Sequence, residues 1–162
     1  METTTPSTRH PAINAKAAVW AGVIAGLVFV MLEMMMVAMF LGGSPWGPPR
    51  MIAAIAMGRD VLPPPATFDL TILMVAMAIH LVLSIILAFV FALIVKGRPL
   101  GTTVIIGAVF GLALYLINFY LMTAVFPWFA EARNWVSIFV HIVFGVVLGW
   151  VYAGFSRPRP VR

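Results

Sequence analysis

The stretch "AAVWAGVIAGLVFVMLEMMMVAMFL", Ala17 to Leu41, runs for 25 residues with a single charged side chain, Glu33. About 20 apolar residues at 1.5 Å rise per residue cross the hydrocarbon core of a bilayer. Three further stretches reach that length: Phe68–Val95, Thr102–Phe126 and Trp135–Phe155. In lipid the backbone must satisfy its own hydrogen bonds, so spans of this kind are helices.

Composition agrees. Of 162 residues, 63% are hydrophobic and only 9% charged, and the mean hydropathy is +1.08. A water-soluble domain carries about 25% charged residues, so this chain needs the lipid bilayer as its solvent. The reading is an all-α integral membrane protein, four transmembrane helices in an antiparallel bundle. The net charge of +5 sits in short flanks beside apolar runs. No basic-aromatic groove accompanies it, so nucleic acid is not an expected partner. With no cysteine there is no disulfide and no thiolate chemistry.

Lys and Arg near the span ends set orientation. One side carries Arg9, Lys16, Lys96, Arg98, Arg157, Arg159 and Arg162; the other carries Arg50, Arg59 and Arg133, offset by Asp60, Asp69 and Glu131. This places both termini in the cytoplasm. It makes residues 1–16 a cytoplasmic tail, residues 157–162 a basic tail, and the first span a retained signal anchor. Trp46, Trp128 and Trp135 then mark the outer interface, and Trp20 and Trp150 the inner one. A bacterial inner membrane is the expected location. The outer connection, residues 42–67, is punctuated by Pro and Gly, with Met51–Met57 expected as a short helix on the membrane surface or capping the bundle. Asp60 and Asp69 are expected to neutralise Arg50 or Arg59.

Residues 17–99 and 100–156 read as two tandem hairpins. Gly22, Gly26 and Glu33 align with Gly107, Gly111 and Asn118 at an offset of 85. His80, Ser84 and Ala88 align with His141, Gly145 and Gly149 at an offset of 61, which also carries Arg98-Pro99 onto Arg159-Pro160. Duplicated hairpins would be related by a pseudo-twofold axis along the membrane normal, an arrangement whose interface often holds a site. Gly22, Gly26, Gly107, Gly111, Gly145 and Gly149 form three GxxxG pairs, the small residues that let membrane helices approach closely.

Counted from the outer ends, Glu33, Asn118, His80 and His141 lie roughly 10–18 Å deep, on the same faces as the small residues. An ionised carboxylate facing lipid at mid-bilayer costs about 2.5–3.5 kcal/mol even on insertion scales. Glu33 is therefore expected to point inward, meet Asn118 and a histidine, and stay protonated or share a proton with an imidazole. Tyr115 and Tyr120 flank Asn118 and extend the polar layer. Two histidines on facing helices also suit axial haem ligation, and His80, His141 and Glu33 together suit a metal ion, although no further haem or metal signature supports either. Met31, Met35 and Met39 repeat on a face about 120–160° from Glu33, turned toward lipid or a partner rather than toward a copper site.

No Ser-His-Asp set, HExxH motif or phosphate loop is present, so no enzyme is expected. The leading expectation is a small subunit or accessory of a larger membrane assembly, with other membrane subunits or further copies of itself as partners. The alternatives are an oligomeric transporter or proton-coupled channel working through Glu33, and a bis-histidine haem protein.

Overall fold

The computed structural model describes residues 13–156. Five α-helices follow in order: α1 Ala15–Phe40, α2 Gly47–Met57, α3 Leu70–Ile94, α4 Leu100–Leu116 and α5 Trp135–Ser156. α4 continues through a π-helical turn, Ile117–Leu121, and a short 3-10 turn, Met122–Ala124. Counted to Ala124, it joins α1, α3 and α5 as one of four helices long and apolar enough to cross a membrane. The expected spans agree with these bounds to within two residues. The tail residues Arg9, Arg157, Arg159 and Arg162, with the Arg159-Pro160 half of the expected duplication, lie outside the described residues.

Local chemistry sets the helix ends. Asn14 caps α1 by accepting from the Ala17 amide at 3.0 Å. Its amide donates to the Phe155 carbonyl at 3.3 Å, which brings the start of α1 and the end of α5 together at one end of the bundle, the terminal end. Asp69 caps α3 by accepting from the Ile72 amide, satisfying a donor the first helical turn leaves orphaned. The expected pairing of Arg50 with an aspartate is replaced by a different bond set. Arg50 donates to the carbonyls of Val61 at 2.8 Å and Thr67 at 3.1 Å, tying the long connection to itself. At this opposite end, the loop end, α2 packs on α3 and α1. Trp128 Nε1 donates to the Met51 carbonyl at 3.0 Å, linking α2 to the second half of the chain. The short helix expected at Met51–Met57 begins at Gly47 and caps the bundle.

Packing is led by small residues. α5 packs along both α4 and α1, and α1 packs in turn on α3. A Cβ on Gly107 or Gly111 would fall on the carbonyls of Gly145 or His141, and one on Gly145 on the Gly107 carbonyl. A Cβ on Gly22 would likewise meet backbone, at Ser84 and Ile85, whereas one on Gly26 would meet the Ser84 side chain. Backbones this close gain dispersion contact that larger side chains would prevent. α3 and α4 differ. Their backbones scarcely approach, and the terminal end of their seam is filled by Phe91 against Phe110, ring centroids 5.4 Å apart.

Gly145→Ala is expected to lower stability by about 1–3 kcal/mol, since only backbone faces the new methyl group. Gly154→Ala, in the same helix with open space around it, should instead stabilise by about 0.5–1 kcal/mol. Thermal unfolding in detergent, followed by helical circular dichroism, compares them; equal effects would contradict the close approach.

Candidate functional site

The polar residues expected in one layer do gather at the loop-end half of the bundle, with a changed pairing. Glu33 is 6% exposed and meets neither Asn118 nor a histidine. Ser137 Oγ donates to Glu33 Oε1 at 2.8 Å, and Oε2 is buried without a partner. Ser137 was not singled out from the sequence. It stands one turn before His141 on the stripe that runs through Gly145 and Gly149, so the small-residue periodicity of α5 carried the signal.

His141 is oriented through both ring nitrogens. Nδ1 lies 2.7 Å from the Ser137 carbonyl, which can only accept, so Nδ1 carries the proton. Nε2 is then the acceptor for Asn118 Nδ2 at 3.3 Å. His80 donates from Nε2 to the Gly26 carbonyl at 2.9 Å. Tyr115 is buried edge-on to His141, 5.7 Å between centroids, while Tyr120 is exposed.

Asn118 sits in the π-helical turn, a feature that re-aims side chains and recurs at functional sites. The turn is held by Arg133, which donates from Nε to the Phe119 carbonyl at 2.6 Å and from Nη2 to Thr123 Oγ1 at 3.0 Å. Its guanidinium lies 4.6 Å from the Tyr120 ring centre, a cation–π contact. Arg133 thus satisfies backbone that the π-turn releases.

Two arrangements the sequence allowed do not match this geometry. A bis-histidine haem needs one nitrogen of each imidazole aimed at a common iron. Here each imidazole donates to a backbone carbonyl, and the second nitrogen of His141 faces Asn118. The Phe29 ring packs against both imidazoles, 5.1 Å from His80 and 4.8 Å from His141. The residues do not fit that group. Nor do His80, His141 and Glu33 form a metal-ligand set, since among the described residues no three His, Asp or Glu side chains cluster for one. Ser137 touches Glu33 through its hydroxyl and His141 through its backbone carbonyl.

These groups face a chamber of about 780 Å³. Glu33, His80, Ser84, Asn118 and His141 lie on its wall among many apolar side chains, and Pro48, Met51 and Ile52 of α2 close its loop end. Leu83, Ile86 and Ile117 line the chamber and are exposed, beside the α3–α4 seam where the backbones scarcely approach. No family model, curated protein or solved structure matches the chain.

Ser137→Ala leaves Glu33 with no partner on either oxygen and is expected to cost about 1–3 kcal/mol. Adding Glu33→Leu should recover most of that loss, because an unpaired buried group costs more than the pair contributes. Chemical unfolding of the two variants checks it; a double variant weaker than Ser137→Ala alone would argue against the pair.

Proposed function

We propose that this polytopic membrane protein is a non-enzymatic binder of a lipid-phase small molecule, which enters its chamber sideways between α3 and α4. One observation carries the reading: a half-open cavity of about 780 Å³ between helices long and apolar enough to cross a membrane, lined mostly by apolar side chains. Ligand sites are concave, mostly apolar and supplied with a few convergent polar groups. The bilayer concentrates apolar solutes where this opening stands. The contact pattern supports a duplicated hairpin as its origin. Gly22 meets Ser84 as Gly107 meets Gly145, and the offsets of 85 and 61 carry one pair onto the other. The hairpins are used unequally: α1 packs on α5, while at the corresponding seam the backbones of α3 and α4 scarcely approach.

A subunit role in a larger assembly is the second reading. It is favoured by Met31, Met35 and Met39, which project from α1 at 70%, 51% and 68% exposure, because flexible thioethers adapt to a partner surface. The distribution of Lys and Arg supports cytoplasmic termini. Because the chain lacks cysteine, Thr67→Cys should react with an impermeant thiol reagent in intact cells and Gly101→Cys only after permeabilisation.

A photoreactive alkyl diazirine, activated in liposomes and mapped by mass spectrometry, tests both readings. It should mark chamber residues such as Phe29 and Phe119, and Ile117→Trp at the seam should reduce that marking about tenfold, equivalent to ~1.4 kcal/mol. Marking confined to the lipid-facing surface would remove the chamber reading. Met31 and Met39 should be protected in native membranes and marked in the purified protein; equal marking in both would remove the subunit reading.

A further inference from the structure

Resting on the chamber reading, we infer that the ligand carries a hydroxyl group on an apolar body, the chemistry of a lipid-phase alcohol. His80 supplies the hydrogen-bond acceptor that selects it.

The chamber wall carries few polar side chains, and most of them are already engaged. Ser44 donates to the Ala66 carbonyl, while Asn134 accepts from the Ser137 amide and donates to the Ala132 carbonyl. Glu33 bonds to Ser137 through Oε1, and its Oε2 is sealed inside the protein. Ser84 is 2% exposed and packed against Gly22 and Gly26. His141 has both ring nitrogens bonded. His80 and Asn118 differ. Among the described residues His80 bonds through Nε2 alone and Asn118 through Nδ2 alone. Their other polar atoms, His80 Nδ1 and Asn118 Oδ1, have no partner there and, unlike Glu33 Oε2, remain accessible. Both residues are partly exposed and line the chamber.

A backbone carbonyl fixes the polarity of the His80 atom. The Gly26 oxygen can only accept, so Nε2 carries the proton and Nδ1 of the neutral ring presents a lone pair. No acid bonds to His80 among the described residues, and an imidazolium in an apolar wall without a bonded counter-charge would be costly. The Phe29 ring packs against the imidazole, 5.1 Å between centroids, and holds its plane. A hydroxyl satisfies this lone pair by donating to it. A ketone, ester or ether oxygen has no proton to donate and would set lone pair against lone pair. Asn118 offers Oδ1 and a second N–H, so it can meet a hydroxyl from either side without discriminating. No Lys or Arg lines the chamber, which leaves a carboxylate or phosphate head without a counter-charge. The apolar lining, with Phe119, Phe126 and Leu87 in it, receives the hydrocarbon body. The volume of about 780 Å³ lies within the range of about 300–1,000 Å³ usual for small-molecule sites.

The test is saturable binding to the purified protein in detergent micelles, measured against the same micelles without protein. The ligands are dodecanol, its methyl ether, dodecanone, dodecanoate and dodecylamine. A single dodecanol should bind per chain, with the ether and the ketone at least about tenfold weaker. His80→Phe keeps a ring against Phe29 but removes Nδ1. It should weaken dodecanol binding about tenfold and leave the ether within about threefold. If dodecanol and its ether bind equally, or His80→Phe binds dodecanol as the unaltered protein does, the chamber reading stands and the hydroxyl inference falls. Preference for the ketone, the carboxylate or the amine also overturns it. Binding of none of the five removes both. Elution volume and circular dichroism confirm that His80→Phe is folded. Should it fail that check, nitrogen-15 NMR of the histidine-labelled unaltered protein decides: dodecanol should move the His80 Nδ1 signal and the ether should not, and an unmoved signal overturns the inference.

Discussion

Helix backbones meeting with no side chain between them are the constraint on which the structure depends. In a bilayer, apolar side chains gain nothing by leaving lipid for protein, so association rests on close packing and on a few hydrogen bonds. Gly107 and Gly111 against Gly145 and His141, and Gly22 against Ser84 and Ile85, provide that contact. Each hairpin is thereby clamped at mid-membrane and toward the terminal end. Nothing comparable joins α3 to α4, where bulky side chains meet only at Phe91 and Phe110. The chamber is what remains toward the loop end once the other helix pairs are fixed.

The polar groups follow from the same geometry. Ser137, His141, Gly145 and Gly149 lie along one stripe of α5. The glycine half of that stripe draws α4 in, and the polar half receives Glu33 from α1 and Asn118 from α4. Asn118 reaches its place because α4 loosens into a π-turn, and Arg133, coming from the loop, meets the carbonyl of Phe119 there. An arginine that sequence reasoning treats as an orientation charge is therefore also a structural part of the site. Glu33 stands amid methionines with one oxygen held by Ser137 and the other buried without a partner.

Hydropathy, proline and glycine punctuation and the Lys and Arg distribution made the four spans and the capping helix legible, because these depend on local chemistry. Bilayer thickness sets span length, and lipid forces each span to close its own hydrogen bonds, so apolar run length maps directly onto helix length. The faces of Glu33, Asn118, His80 and His141 were legible too, since a face is counted along a single helix. Partners were not. Glu33 with Asn118 and a histidine was the natural pairing on chemical grounds, and the serine was overlooked because its hydroxyl is unremarkable in sequence.

The sequence by itself determined that this is a four-span helical protein, where its small-residue contact lines run, and that one acid lies buried among them. Only the tertiary structure decided which helices those lines join, that Ser137 holds Glu33, that the imidazoles turn to backbone carbonyls, and that α3 and α4 scarcely touch. The reason is physical. Periodicity is a property of one helix, whereas a partner depends on how two helices rotate and cross, and the loose α3–α4 seam depends on every other contact being made first.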